Sequence, residues 1–138
     1  MSVAKLKVTG INHVVLHVSD VERSVKFYKE VLGFESRETS VSPERRMSFL
    51  RCGMQGLDLF EVAGDVHGGE EMNHMALNVE ADGVDEVVAG LEEAGVAVFE
   101  RTRRNSLFIH DPDGHQIEML PRDALERQRE HGAAATAS

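Results

Sequence analysis

The sequence predicts an α+β fold built from two tandem βαβββ modules, and three observations carry that expectation. The run Ile11-Asn12-His13-Val14-Val15-Leu16-His17-Val18 returns 61 positions later as Met72-Asn73-His74-Met75-Ala76-Leu77-Asn78-Val79. Each run is followed by apolar residues at three- or four-residue spacing, the signature of one helical face. Each helical stretch is followed by a glycine and then by three short strand candidates.

In the first module Val21, Val25, Tyr28 and Leu32 form the helical stripe, and Ser19 with Glu22 reads as a capping box. In the second, Val84, Val87 or Val88, and Leu91 do the same, with Asp82 as the N-cap candidate. Gly33 and Gly95 follow the last turns, where glycine takes a left-handed cap at least cost. Strands are expected from Phe34 to Thr39, Arg46 to Cys52 and Leu57 to Val62, then from Val96 to Glu100, Ser106 to His110 and Gln116 to Leu120. Asp58 in Leu57-Asp58-Leu59-Phe60 matches Glu118 in Ile117-Glu118-Met119-Leu120. One domain over residues 10–121 results, from modules 10–63 and 71–121 joined by the Gly- and acid-rich Gly64 to Glu71. Residues 122–138 read as a charged, partly disordered tail, with a short helix over Asp123 to His131 and fraying from Gly132 to Ser138.

Charge and cysteine content exclude several classes. Against 24 acidic residues stand 15 Lys and Arg, a formal net charge of −9 in 138 residues. No basic stripe is available to displace counterions from nucleic-acid phosphates, and no polybasic membrane anchor is present. No apolar run approaches the roughly 18 residues of a membrane-spanning helix, and Met1 to Thr9 lacks the apolar core of a secretory signal. Cys52 is the only cysteine, so no internal disulfide can form and a cytoplasmic home is expected. Serine or cysteine nucleophile motifs and phosphate-cradling glycine loops are missing.

Alternation along strands then gathers ligand-type side chains on one face. Val14, Leu16 and Val18 must pack on the helices, which turns His13, Val15 and His17 to the opposite face. The same parity turns His74, Ala76 and Asn78 outward, and sets Glu118 with Gln116 and Leu120 against Ile117 and Met119. Two repeat-related histidines and a carboxylate suit a borderline divalent ion with positions left for substrate. A lone histidine on an apolar strand is more often structural; recurrence at the repeat-equivalent position favours the ligand reading.

The matching segments resemble the vicinal oxygen chelate superfamily, which includes glyoxalase I, bleomycin-resistance proteins, fosfomycin-resistance enzymes and extradiol dioxygenases. They are Asn12 to Asp20, Ser24 to Phe34 around Phe27-Tyr28, Asn73-His74-Met75-Ala76-Leu77, and Asp111-Pro112-Asp113-Gly114-His115-Gln116-Ile117-Glu118. The resemblance implies a curved sheet cup with the helices outside, His13, His74 and Glu118 as metal ligands, and a homodimer acting on a small molecule. Fosfomycin-modifying relatives place Thr and Tyr where this chain has Val15 and Phe108, which lowers that reading.

Asp58 stands where proton-transferring relatives carry a fourth ligand. Glu61, three residues on, falls on the other face. With Asp58 as ligand or base, glyoxalase I-like lyase or isomerase chemistry follows; without it, the 2-His-1-carboxylate set suits Fe(II) and extradiol cleavage. The shorter Asp tilts the expectation to an extradiol-type dioxygenase with one divalent metal per site, Fe2+ ahead of Ni2+, Zn2+, Mn2+ or Co2+. A metal-free drug- or metabolite-sequestering protein is the rival from another class. Phe49, Arg51, Phe108 and His17 are the candidate substrate contacts, Arg51 for an anionic substrate. His110 is an acid–base candidate, set against the plain reading of a turn histidine before Asp111-Pro112.

Overall fold

Side-chain alternation organises the first strand as expected: Leu16 and Val18 are buried, while His13, Val15 and His17 are exposed on the other face. The computed structural model describes residues 11–124 and 126. The readings for Met1 to Thr9 and Gly132 to Ser138 lie outside these residues, as does most of Asp123 to His131; Arg122, Asp123, Ala124 and Glu126 are helical. The contacts divide the chain between Gly64 and Asp65 into two units.

The first unit runs β1 (His13–Val18), α1 (Val21–Glu30), β2 (Glu35–Ser42), β3 (Arg45–Cys52) and β4 (Gln55–Glu61), in the sheet order β1-β4-β3-β2. The second runs β5 (Met75–Asn78), α2 (Val84–Glu93), β6 (Glu100–Arg101), β7 (Leu107–His110) and β8 (Gln116–Leu120), in the order β5-β8-β7-β6. The two sheets are topological copies, so the sequence repeat is a repeat of structure. In each, the first strand pairs in parallel with the last, and the other pairings are antiparallel. A parallel pair cannot be closed by a tight turn, and the intervening helix and strands supply the crossover.

Leu16, Val18, Leu50, Leu57 and Leu59 of the first sheet are buried together with Val21 and Tyr28 of α1, and the Tyr28 ring lies 5.3 Å from Phe34. Leu107, Ile109, Ile117 and Met119 with Val87 and Leu91 are the buried counterparts in the second unit. Burying each such aliphatic side chain is worth about 1.5–3 kcal/mol, which holds the opposite sheet face in its register. Among the described residues, no helix is long and apolar enough to cross a membrane.

Both helix starts differ from expectation. Asp20, not Ser19, caps α1: its backbone is extended and its Oδ1 accepts from the Arg23 N–H at 3.1 Å. Glu22 turns away to Arg46 at 3.2 Å, and the free Val21 N–H donates to Glu61 Oε2 of β4 at 3.0 Å. Gly83, not Asp82, occupies the cap of α2 with no side-chain bond; Glu86 instead reaches back to the Asp82 N–H at 2.9 Å. β6 is two residues long where five were expected, because it meets only Leu107 and Phe108 of β7. Gly33 and Gly95 have the expected left-handed φ of 74° and 75°.

The Asp-Pro-Asp-Gly turn before β8 is clamped from inside. Asp111 Oδ1 accepts from the N–H groups of Asp113 (2.9 Å) and His115 (2.8 Å), and Oδ2 lies 2.7 Å from His115 Nδ1. Both side chains are buried. Gly68 of the linker passes so close that a Cβ there would stand 2.5 Å from the Gly114 carbonyl carbon.

Candidate active site

Each unit places one histidine beside one carboxylate on its open sheet face. In the first, β1 and β4 run in register with Val15 opposite Asp58 and His13 opposite Gly56. His13 Nε2 stands 3.7 Å from Asp58 Oδ2, with the carboxylate mostly covered (15% exposed) and the ring half-exposed (49%). In the second, Ala76 lies opposite Glu118, and His74 Nε2 stands 3.5 Å from Glu118 Oε1. Among the described residues, no three His, Cys, Asp or Glu side chains form a metal-holding group. What each unit holds is a pair.

The preceding asparagine orients each ring. Asn12 Oδ1 is 2.8 Å from His13 Nδ1, and Asn73 Oδ1 is 2.7 Å from His74 Nδ1. A carboxamide oxygen only accepts, so Nδ1 carries the hydrogen of this bond and Nε2 is the ring nitrogen turned toward the carboxylate oxygen of its unit. Such an arrangement fits a cation. Donors about 2.1 Å from one ion sit about 3.0–3.4 Å apart at octahedral or tetrahedral angles, a few tenths of an ångström below the observed separations. Nitrogen and oxygen donors of this kind suit borderline divalent metals.

The two carboxylates are held differently. Glu118 Oε2 accepts from the Ser106 hydroxyl at 2.7 Å, and Ser106 is itself 2.7 Å from the Thr102 hydroxyl. Asp58 has no hydrogen bond among the described residues, and its carboxylate stands opposite His13. Room for His13 comes from Gly56, where a Cβ would lie 2.9 Å from the His13 Cβ.

A cavity of about 320 Å³ opens beside the first pair, lined by Asn12, His13, Arg37, Phe49, Arg51 and Asp58 among others. Phe49 pairs with Asp58 across β3 and β4. Arg51 donates through Nη2 to the Met54 carbonyl at 3.0 Å, which ties it to the β3–β4 turn. His17 is on the same face, opposite Phe60. In the second unit Phe108 pairs with Glu118, and its ring lies 5.1 Å from that of His74, edge to face. His110 shares this face, stacked on Phe99 at 4.1 Å. Glu61, excluded by parity, indeed belongs to the helix side: Arg46 Nε donates to it at 2.7 Å and holds its carboxyl below the usual range. Burial pushes the Cys52 thiol up, opposite to what a nucleophile needs.

Sequence reasoning passed over Asn12, Asn73, Ser106 and Arg37. The repeated Asn-His pair was a usable signal for the first two. Arg37 had none: counting back by twos from Thr39, which bonds Ser48 on the helix side, puts Arg37 on that side too. A register shift between Ser36 and Glu38 makes Arg37 the bulged residue and brings it to the cavity.

With this geometry in place, the chain's relatives are informative. The profile of the Glyoxalase/Bleomycin resistance protein/Dioxygenase superfamily matches residues 10–119, and the chain belongs to that superfamily. It is 29% identical over 133 residues to lactoylglutathione lyase of Haemophilus influenzae, covering 80% of this chain and 90% of that one. It is 32% identical over 120 residues to metallothiol transferase FosB of Staphylococcus saprophyticus, covering 81% and 76%. Among solved structures it is similar to an integron cassette protein from the mobile metagenome of the Halifax Harbour sewage outfall, with a TM-score of 0.68, 28% identity and coverage of 81% and 97%.

Proposed function

We propose that the protein is a divalent-metal-dependent lyase or isomerase of the glyoxalase I kind, acting on a small substrate with two adjacent oxygens. One observation carries the reading: Asp58 stands to His13 as Glu118 stands to His74, so each unit offers a divalent ion one histidine and one carboxylate. When bound, the ion polarises the substrate's two adjacent oxygens as a Lewis acid. The Asn12 and Asn73 carboxamides hold each ring by Nδ1 and leave Nε2 to meet the ion. Ser106 pins Glu118, whereas Asp58 has no such bond among the described residues and is the carboxylate able to take a proton from the substrate carbon and return it to the neighbouring one. Phe49 beside Asp58 and Phe108 beside His74 each line the open face of their own unit, with His17 and His110 as further lining on those faces.

The relatives described above are a lyase and a thiol transferase, which lends no support to the extradiol-type dioxygenase expected from the shorter Asp58. The preference for Fe2+ goes with it, since proton transfer needs a Lewis acid and no redox change. Thiol transfer of the FosB kind is a weaker fit, because Val15 presents no hydroxyl on the ligand face.

Elemental analysis of protein purified without a histidine tag, paired with assays of lactoylglutathione formation and of O₂ uptake on catechols, tests the reading. About one Ni, Zn, Co or Mn per chain is expected, with turnover in the first assay. Iron with O₂ uptake would restore the dioxygenase, and no metal uptake on titration would leave a binding protein.

A further inference from the structure

Several of the described arginines are neutralised. Arg45 pairs with Glu38, Arg46 with Glu61 and Glu22, Arg101 with Asp85, and Arg122 with Asp82. Arg37 and Arg51 are not, and both line the cavity at His13 and Asp58. Among the described residues Arg37 has no hydrogen-bond or ion-pair partner, and Arg51 gives one donor to a backbone carbonyl and has no carboxylate partner. A guanidinium carries five N–H donors in a planar fork, so most of this donor capacity is unused.

Alternation brings one of the two to the cavity and a bulge brings the other. Arg51 shares the open face with Phe49 and is held at the β3–β4 turn through the Met54 carbonyl. Arg37 sits at the bulge of β2, the one register break in the sheet. Bulges cost ladder hydrogen bonds, and their recurrent use is to re-aim a side chain beside a site. Two uncompensated cations in one cavity repel each other, an arrangement that is relieved when an anion binds both.

We infer that Arg37 and Arg51 form an anion clamp, and that the substrate carries a carboxylate, phosphonate or phosphate group which they hold. Planar forks match such oxyanions in bidentate fashion, which gives orientation as well as affinity. The anionic group is bound at one end of the cavity, and the reacting oxygens are presented at the other, toward His13 and Asp58. Only the position of the reacting end rests on the metal-site reading above; the clamp stands on the two arginines.

Inorganic phosphate titrated into the full-length protein, after chelator treatment and again with metal restored, is the test. Binding is followed by the amide and guanidinium NMR signals of residues 37 and 51 and by calorimetry. Saturable binding is expected in the chelator-treated protein, weakened about tenfold or more by R37Q or by R51Q. R37K is expected to fall between R37Q and the parent, because charge is kept and the fork is lost. R104Q, a change at an exposed arginine outside the cavity lining, is expected to leave binding within twofold, and circular dichroism checks that each variant is folded. Metal uptake by the R37Q/R51Q double variant is expected to match the parent. Phosphate binding that appears only with metal, or that R104Q weakens as much as R37Q, overturns the clamp. Phosphate binding lost in the arginine variants of a protein that takes up no metal upholds the clamp and sinks the metal reading instead.

Discussion

His13 Nε2 and Asp58 Oδ2 face each other at 3.7 Å, beyond hydrogen-bond range, while Asn12 holds the ring by its other nitrogen at 2.8 Å. The second unit repeats the relation between His74 and Glu118 at 3.5 Å with Asn73 behind it. The same arrangement in both units is the reason we propose the same duty for Asp58 as for Glu118. The difference between the pairs is the Ser106 hydroxyl, which restrains only Glu118.

Removing either histidine should abolish stoichiometric metal. His13→Ala and His74→Ala are each expected to fall from one ion per chain to a small fraction, measured by elemental analysis after gel filtration. A ligand at about 100 times its Kd stabilises the folded state by about 2.7 kcal/mol. Chelator should therefore lower the Tm of the parent protein and leave both variants unchanged. Equal chelator shifts in parent and variants would show that these rings are not ligands.

The asparagines should matter without touching the ion. Asn73→Ala removes the acceptor that fixes the His74 tautomer, and losses of this type weaken metal affinity by about 10–100-fold. Competition titration with a chromophoric chelator reads this directly. An affinity unchanged from the parent would mean the ring is oriented by something else.

Gly56→Ala should be felt at His13. The added methyl meets the His13 Cβ at 2.9 Å, a stem atom that cannot swing aside. Overpacking of this kind costs about 1–3 kcal/mol. Chemical denaturation should show that loss, and metal affinity should fall with it as β1 is pushed away from β4.

The Asp111–His115 clamp gives a pH dependence with a defined sign. The hydrogen bond to Asp111 raises the His115 pKa above its ordinary 6.5, against the opposing effect of burial. A raised folded pKa contributes stability that is complete below the unfolded value and is lost as pH rises through the folded one. The stability difference between the parent and His115→Gln is thus expected to be larger at about pH 5.5 than at about pH 8.5. Asp111→Asn, which strips the charge from a buried pair, is expected to cost about 3–5 kcal/mol. A stability difference that grows with pH would contradict the assignment.

The doubled βαβββ order, the left-handed glycines and the open-face placement of His13, His74, Asp58 and Glu118 were legible in the sequence. They follow from local rules: side chains alternate in strands, apolar stripes recur along helices, and a repeat doubles every signal. The capping residues were misplaced by one position at both helices: Asp20 takes the Arg23 N–H while Glu61 of another strand takes that of Val21, and Glu86 takes the Asp82 N–H outside α2. Arg37 escaped for a related reason. A bulge is a mismatch between two strands, so β2 read alone does not contain it. The same holds for Ser106 on Glu118, a bond between side chains twelve residues apart, from the residue before β7 to the middle of β8. Sequence by itself determined which residue types stand on which face, since that depends on periodicity within a segment. Only the tertiary structure decided how those side chains are oriented and restrained, since that depends on atoms brought together from different strands.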